Sequence, residues 1–373
     1  MATTNFKLQM KNTFIITIFI FTLVLILNSC GTPTTVIKRG QIEEIDKERI
    51  IMQGIALNTY YKRLERINNL AYPLLLESID FCKNNIKYDL GIKTISLNQI
   101  DKRFQNAASD KLFITEEQKV LFVIKDSAGY IAGIRSGDII KTLSSKSFKW
   151  VNDDIFLNNE RKNYSKEEVE ITIKRKSLID ANNTSTIDKI LTFNIKPNAI
   201  CGYGVFLVQD DSLNAYADGK NLYVTQGMLR FIDEDKELQF ILAHELAHNT
   251  EGHISKRTNN SILGTILDIA AAGAGIDTRG SFGAIGAQMY SQDFEREADY
   301  VGLYILAKSK IESTNIENFW RKLAAESPGS TINYNSSHPT SPERWANIKE
   351  TQKEIRYKEE NGIDLKPERV KNN

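Results

Sequence analysis

The apolar positions of the chain change their spacing along its length, and each spacing predicts a different element. Thr13 to Leu27 is an apolar run broken only by threonines. It is short for a membrane-spanning helix, which needs about 20 residues. Ile42 to Leu76 carries apolar residues at helical spacing, which predicts one or two helices, with Pro73 as a break. From Ile86 to Pro197 short β-rich runs alternate with polar turns, which is typical of strands and hairpins.

The β-rich region contains a segment that resembles part of a PDZ domain, Ser127-Ala-Gly-Tyr-Ile-Ala-Gly-Ile-Arg-Ser-Gly-Asp-Ile-Ile140. It predicts a short helix, a tight glycine turn and a strand, after a preceding strand. Ala128 and Gly129 stand where PDZ domains usually have proline and alanine. A PDZ-like domain would bind an extended peptide or a C-terminus by strand addition. The alternative is an insertion that only separates the parts of the chain on either side.

A further apolar stretch, from Leu238 to Ala247, surrounds the sequence His244-Glu245-Leu-Ala-His248. Residues four apart lie on the same face of an α-helix. His244 and His248 can therefore direct two imidazoles to one metal ion, with Glu245 in the adjoining space. Two imidazoles and a carboxylate are the usual ligands of an open catalytic zinc site. The alternative is two core histidines and a helical glutamate, but the chain has only 4 histidines, which makes a chance match rare.

A second polar helix is predicted downstream, in the sequence Gln292-Asp-Phe-Glu-Arg-Glu-Ala-Asp299. Glu295 and Asp299 are four apart and share a face. Glu295 can supply the third ligand, and Asp299 can accept the spare N–H of a ligating histidine. Glu297 points about 200° away on a helix of 3.6 residues per turn. Taken alone, the segment could be a surface helix with charge pairs, but beside the two histidines it indicates a metal site.

These two motifs together resemble those of the zinc peptidases of the HtpX, BepA and CAAX prenyl protease type. Two further signatures of that family occur in the chain. Asn214 to Gly227 resembles the hairpin whose first strand lies along the cleft. Ser337 to Arg344 resembles the family's His-Pro motif, with Arg344 six residues after His338. The four motifs occur in the family's order, within roughly residues 200–350.

The resemblance implies an α+β fold, namely a zincin (gluzincin-type) helical catalytic domain with a small β-hairpin or sheet, to which the β-rich PDZ-like domain is added. It also implies one Zn²⁺ per chain, held by His244, His248 and Glu295. Zinc at this position would hold a water and lower its pKa. Glu245 would take the proton of that water and pass it to the leaving amine.

For the substrate, the resemblance implies a cleft bordered by an edge strand. Asn214, Ala215 and Tyr216 would hold a polypeptide as an added β-strand. His338, with Arg344 nearby, would stabilise the oxyanion. The expected function is that of a zinc metalloendopeptidase that cleaves extracytoplasmic proteins, such as misfolded or envelope proteins.

Two other functions remain open at this point. A lipoprotein chaperone or assembly factor could keep the zinc-peptidase fold and bind clients with little cleavage. A PDZ adaptor with an inactive peptidase is a third interpretation, but the intact ligands and Glu245 argue against it.

Composition and charge narrow the class of partner. A chain of 373 residues suggests about two domains, and 41% hydrophobic residues suffice for a core. With 48 basic and 47 acidic residues, the net charge of +1 gives no reason to expect nucleic acid. The predicted boundaries are residues 1–30 for a lipoprotein-type signal peptide, 31–85 for a linker and N-terminal helices, 86–197 for the PDZ-like insertion, 198–350 for the catalytic domain and 351–373 for a charged tail.

The first 30 residues predict export. Lys7 and Lys11 precede the apolar run, as in a signal peptide. The run ends in Leu27-Asn-Ser-Cys30-Gly, which resembles a bacterial lipobox, so cleavage would leave Cys30 as a lipidated N-terminus. Ordinary cleavage and an uncleaved anchor remain open. All three alternatives place the body of the protein in the cell envelope, outside the cytoplasm, and a lipid anchor would hold it to a membrane.

Two cysteines remain once Cys30 is assigned to lipid. Cys82 lies just before the predicted insertion and Cys201 just after it. An inserted domain leaves and re-enters its host at neighbouring points, so the two residues should be close in space. In an oxidising compartment such a pair predicts a disulfide. The alternative is two buried free thiols.

Overall fold

The computed structural model describes residues 40–82, 85–144, 149–150, 167–178, 186–259, 291–326, 338 and 341–370. The chain divides into two compact units, Met1–Arg49 and Ile50–Asn373. Cys30 and the predicted signal peptide lie outside the described residues. Within the described part, no helix has both the length and the apolar character needed to cross a membrane.

Most of the described strands follow one another in the middle of the chain, and five of the described α-helices come after them, which makes the fold α+β. The α-helices are α1 (Ile42–Glu77), α2 (Gln105–Leu112), α3 (Ala128–Ala132), α4 (Gln226–Phe231), α5 (Asp235–Thr250), α6 (Ser291–Lys308), α7 (Asn318–Glu326) and α8 (Pro342–Glu360). The strands are β1 (Ile86–Asp89), β2 (Ile92–Ile95), β3 (Lys119–Val123), β4 (Ile139–Ser144), β5 (Lys149–Trp150), β6 (Val169–Leu178), β7 (Thr186–Ile195), β8 (Asn198–Cys201), β9 (Gly204–Val208), β10 (Ala215–Ala217) and β11 (Asn221–Thr225).

Helix α1 continues through Pro73, so the predicted break there is wrong. A proline inside a helix removes one hydrogen bond and costs about 3 kcal/mol. Its neighbours Tyr72, Leu74 and Leu75 are almost completely buried in the main core. Burial of a large apolar side chain contributes about 1.5–3 kcal/mol, so three of them outweigh the proline. Packing therefore decides the local structure here, against the preference of the residue.

The β-rich region folds into one antiparallel sheet with the strand order β2-β3-β4-β6-β7, and β5 pairs with β4. Between β3 and β4 the chain forms α3, whose first turn is capped by the Ser127 side chain. The helix ends at Gly133, where φ is +94° and a side chain would be strained. This is the order of elements expected from the segment Ser127–Ile140. The sheet has a hydrophobic core of its own, separate from the main one.

Strands β1 and β8 carry the chain into and out of this sheet. They pair antiparallel, with Ile86 opposite Cys201. Cys82 and Cys201 are joined by a disulfide with their Cα atoms 5.6 Å apart, in the usual range for such a bond. The sequence separation is 119 residues. Closing a loop of that size stabilises a fold by up to about 4.7 kcal/mol in the chain-entropy estimate.

The remaining elements form a small sheet beside a helical layer. The sheet order is β10-β11-β9, with β10 antiparallel and β9 parallel to β11. Asn249 near the end of α5 accepts a hydrogen bond from the Gly219 N–H (2.7 Å) and donates one to the Asn221 carbonyl (3.0 Å). These bonds fix the β10–β11 hairpin against α5.

Helices α5 and α6 approach closely because Gly302 has no side chain. A Cβ atom there would lie 3.2 Å from the backbone nitrogen of His244 and 3.3 Å from the carbonyl carbon of Ala243. Both distances are tighter than ordinary packing allows. The glycine thus brings the acidic residues of α6 next to the histidines of α5.

Candidate metal centre

Helix α5 carries two of the expected ligands on one buried face. Asp235 and Glu237 occupy its first turn, where negative charge interacts favourably with the helix dipole. His244 is completely buried and His248 is 6% exposed. Their Nε2 atoms lie 3.1 Å apart. The four-residue spacing therefore directs both imidazoles to one point.

Helix α6 brings a carboxylate to the same point. Glu295 is buried, and its Oε2 and Oε1 atoms lie 3.3 Å from Nε2 of His244 and 3.3 Å from Nε2 of His248. One turn later, Asp299 Oδ1 lies 3.0 Å from the other ring nitrogen of His244, Nδ1. These are the positions expected for a third ligand and for a residue that orients a ligating histidine.

His338 completes the group and connects it to strand β10. Its Nδ1 lies 3.3 Å from His244 Nε2 and 3.0 Å from Glu295 Oε2. Its Nε2 lies 3.2 Å from the Ala215 carbonyl and 3.2 Å from Glu245 Oε1. His338 therefore separates the carboxylate of Glu245 from that of Glu295.

The four donor residues fit a single metal ion. Ligand atoms from His244, His248, Glu295 and His338 all lie within 4.8 Å of one another, and no other such group occurs among the described residues. Four tetrahedral ligands with bonds of about 2.0–2.1 Å lie roughly 3.3 Å from one another. The measured separations of 3.1 Å between the histidines and 3.3 Å to the glutamate agree with that value.

Arg344 holds the acidic residues in place. Its Nε and Nη2 atoms donate to the two oxygens of Asp299 at 2.7 and 2.8 Å, and Nη1 lies 3.1 Å from Glu295 Oε2. The guanidinium carbon lies 3.9 Å from the centre of the Trp320 ring. The side chain is 3% exposed. These contacts favour a role for Arg344 in orienting the carboxylates. Its expected place near His338 and the oxyanion stays a prediction.

Glu295 is held in its charged form. Burial alone raises the pKa of Glu295, but the charges of His338 and Arg344 outweigh it. Hydrogen bonds with His244 and His248 act in the same direction, so the pKa of Glu295 lies well below its ordinary value. A charged carboxylate beside three imidazoles is suited to bind a cation.

The two histidines of α5 differ in their affinity for protons. Burial lowers the pKa of His244, but hydrogen bonds to Asp299 and Glu295 outweigh it and raise the pKa to about 9. For His248, burial is the larger effect and lowers the pKa. In the metal-free site, His244 therefore carries the proton that a metal ion must displace.

The predicted substrate strand lies beside this group. Ala215 and Tyr216 belong to β10, which pairs only with β11 among the described strands. Asn214 precedes the strand; its carbonyl accepts a hydrogen bond from the Thr225 N–H (3.0 Å), and its N–H donates one to Thr225 Oγ1 (3.2 Å). The Tyr216 ring stacks on Tyr223, with ring centres 4.8 Å apart. Because the Ala215 carbonyl contacts His338, this edge strand is next to the proposed reacting centre.

Two neighbours of the site were not assigned a role from the sequence. His253 is outside the ligand group, and its Nδ1 lies 2.9 Å from His248 Nδ1. Trp320 lies against both Arg344 and the His244 ring. The scarcity of histidine in the chain was a signal for His253. Nothing in the spacing of Trp320 pointed to the site.

Comparisons with known proteins identify the region that contains these residues. Residues 185–352 match the family described as Peptidase family M48. A beta-barrel assembly-enhancing protease of Yersinia pestis is 32% identical over 139 residues, which are 33% of this chain and 28% of that protein. The mitochondrial metalloendopeptidase OMA1 of Schizosaccharomyces pombe is 27% identical over 161 residues, covering 41% and 48%. The metalloprotease YcaL of Escherichia coli is 30% identical over 173 residues, covering 44% and 66%. The chain spans less than half the length of the first two relatives.

Proposed function

Because residues 185–352 match peptidase family M48, we propose that this protein is a zinc-dependent metalloendopeptidase. Its substrates would be extracytoplasmic proteins, misfolded or envelope proteins in particular. The observation that carries the proposal is the convergence of the donor atoms of His244, His248 and Glu295 at tetrahedral spacing, with Glu245 beside them. This arrangement combines a cation site with a general base.

His244, His248 and Glu295 would hold the metal, with His338 close to them. A bound zinc supplies Lewis-acid chemistry, which polarises a scissile carbonyl and lowers the pKa of an attacking water. Glu245 is 2% exposed and lies outside the ligand group. Its carboxylate takes the proton of the attacking water and delivers it to the leaving amine.

His338 and Arg344 serve this chemistry in different ways. His338 Nε2 faces both Glu245 and the carbonyl of the edge strand, so it can donate to oxygen atoms that become negative during reaction. Arg344 acts on the chemistry indirectly, because its N–H groups are directed to the carboxylates of Asp299 and Glu295. It holds those carboxylates in the orientation that the histidines need.

The substrate would bind as an extended strand beside β10. Backbone pairing of this kind recognises any unfolded polypeptide and selects weakly among sequences.

We further propose that the six-stranded sheet is a PDZ-like domain that binds a peptide or C-terminus. The strand–helix–glycine turn–strand order between β3 and β4 supports that assignment. The test is peptide binding by variants that lack the metal ligands. Binding that persists in these variants would support a PDZ-like domain, and loss of binding would contradict it.

An envelope location is supported by the disulfide and by one relative. A disulfide between Cys82 and Cys201 is favoured in an oxidising compartment. The Yersinia pestis relative is named for enhancing β-barrel assembly, and a role at the envelope is proposed here by analogy.

The lipobox-like sequence predicts lipidation of Cys30, so Cys30→Ala should release the protein from membranes or leave an unprocessed precursor. Unchanged fractionation would exclude Cys30 as the anchor.

The decisive experiment is proteolysis by the purified protein and by Glu245→Gln. Wild type should cleave casein or a misfolded client, chelation should stop it, and zinc should restore it. Glu245→Gln should lose about 10²–10⁴-fold in rate, because the general base is lost, while zinc stays bound. Equal turnover of the mutant would contradict the mechanism. A wild type that binds clients and zinc without cleaving would support a chaperone instead.

A further inference from the structure

All four histidines of the chain belong to one connected network, although only three of them offer a nitrogen to the metal group. The fourth, His253, is 2% exposed. Its Nδ1 lies 2.9 Å from Nδ1 of His248, the ring nitrogen that faces away from the metal group. Its Nε2 lies 2.9 Å from Glu297 Oε2. His253 therefore bridges a proposed ligand and a carboxylate.

The direction of these hydrogen bonds follows if His248 binds a metal ion through Nε2. His248 must keep the lone pair of Nε2 free, because Nε2 faces His244 and Glu295. The neutral ring then carries its hydrogen on Nδ1 and donates it to Nδ1 of His253. His253 in turn carries its hydrogen on Nε2 and donates it to Glu297. Each step of the chain selects one tautomer of the next ring.

The surroundings hold His253 and Glu297 in this arrangement. The His253 ring stacks on Phe294, with ring centres 4.5 Å apart and an angle of 14° between the planes. Glu297 lies 3.9 Å from Arg369 and 4.0 Å from Lys256. Arg369 is itself fixed by two hydrogen bonds to Glu251, at 2.6 and 2.8 Å. The Glu297 carboxylate, the last acceptor in this series of hydrogen bonds, is therefore held in place by the C-terminal segment.

We propose that His253 and Glu297 are positioning residues for metal binding, which fix the tautomer and ring orientation of His248. The inference rests on the proposed function in that His248 must be a metal ligand. It assigns to His248 a partner that parallels Asp299, which faces Nδ1 of His244. Each histidine of α5 would thus have its own acceptor. His244 donates directly to a carboxylate, and His248 donates to the imidazole of His253, which in turn donates to a carboxylate.

Loss of the acceptor at His253 should weaken metal binding without removing a ligand. The Nδ1–H of His248 would be left buried and unpaired, and the ring could turn or change tautomer. Residues that orient a ligating histidine typically contribute 10–100-fold in metal affinity. Glu297 is partly exposed, with 37% of its side chain accessible, so its loss should have the smaller effect.

The test compares variants of the full chain by zinc affinity, measured by chelator competition on metal-free protein. His253→Phe keeps a ring on Phe294 but has no acceptor, and we expect a 10–100-fold loss. His253→Asn places an amide oxygen near the position of Nδ1, and we expect it to recover most of that loss. Glu297→Ala should lie between wild type and His253→Phe. Asp293→Asn, which changes an exposed carboxylate of the same helix, should bind like wild type.

The denaturant unfolding midpoint of each metal-free variant separates positioning from packing, and the visible spectrum of the Co²⁺ form reports ligand geometry. Weaker zinc binding by His253→Phe with an unchanged midpoint, an altered Co²⁺ spectrum and recovery in His253→Asn would support the proposal. Equal zinc affinity of wild type and His253→Phe would overturn it. So would a lowered midpoint with a loss that His253→Asn does not recover. If wild type itself bound no zinc, the proposed function would fail first, and the inference with it.

Discussion

Two buried clusters of charge in this protein have opposite organisations. In the six-stranded sheet, Asp138 accepts two hydrogen bonds of 2.6 Å from Arg175 and a third, of 2.8 Å, from the N–H of Arg135. Arg175 also donates to the Gly133 carbonyl at 2.7 Å. These are short, charge-assisted bonds between complementary groups. The cluster satisfies itself and fixes the turn before β4.

The metal centre is buried to a similar degree, but its groups are held together by a proton that a metal ion can replace. Ring nitrogens of three imidazoles and the oxygens of a carboxylate converge, in pairs 3.0–3.3 Å apart. Without a metal the His244 ring keeps a proton, since its pKa is raised to about 9, and Arg344 supplies permanent positive charge to the carboxylates. A metal ion takes the place of the ring proton when it binds. Buried charge in a permanent pair therefore serves the fold, whereas converging ring nitrogens and carboxylate oxygens indicate a metal site.

The sharpest test of this comparison is Glu295→Ala against Glu297→Ala. Removing Glu295 takes the only carboxylate from the ligand group, so zinc binding and proteolysis should both be lost. Glu297 contacts His253 and no ligand nitrogen, so Glu297→Ala should retain zinc with at most about a 100-fold loss. Metal analysis of the purified variants gives the answer. The reverse order would refute the assignment of Glu295.

The paired cluster should respond in stability alone. Asp138→Ala leaves Arg175 without its partner, and breaking a buried pair in this way costs about 3–5 kcal/mol. Denaturant unfolding should show that loss, while zinc affinity stays the same. Glu117→Ala is the matched control, because Glu117 is 41% exposed and pairs with two lysines. Exposed pairs contribute about 0–1 kcal/mol. Weaker zinc binding in Asp138→Ala would show that the two clusters are coupled.

Arg344→Lys should give an intermediate result, since Arg344 belongs to the metal centre yet makes paired bonds. Lysine keeps the charge but cannot form the fork of bonds to Asp299. We expect a 10–100-fold loss of zinc affinity through misorientation of His244. Isothermal titration measures it. Unchanged affinity would mean that charge alone suffices at this position.

The smallest effect, about tenfold for each pH unit, concerns the pH dependence of zinc binding. The pKa of His244 in the metal-free site is about 9, so below that pH zinc must displace one proton. Zinc affinity should therefore rise about tenfold per pH unit up to about pH 9. The raised pKa also stabilises the metal-free fold below the ordinary value of 6.5, and this contribution is lost as the pH rises through about 9. Titration in buffers of different ionisation enthalpy would measure the released proton. Zinc binding without proton release would contradict the assignment.

The parts of the site that could be predicted from the sequence depend on one helix at a time. His244 and His248, or Glu295 and Asp299, lie on common faces because of the 3.6-residue repeat. The bond between His253 and His248 could not be predicted, because it depends on how the chain turns after α5. Pro73 shows the same limit, since burial of its neighbours overrides the residue's own preference. The contact of Arg344 with Trp320 joins α8 to α7 and depends on tertiary packing.

The order of the ligands along the chain has a consequence for biosynthesis. The chain emerges from the ribosome with His244 and His248 first, then Glu295, then His338 and Arg344. A nascent chain that ends before Glu295 has the base and two imidazoles but no carboxylate ligand. The proposed peptidase therefore remains silent during most of its own translation. It becomes able to cut other polypeptides only after most of its sequence has been made.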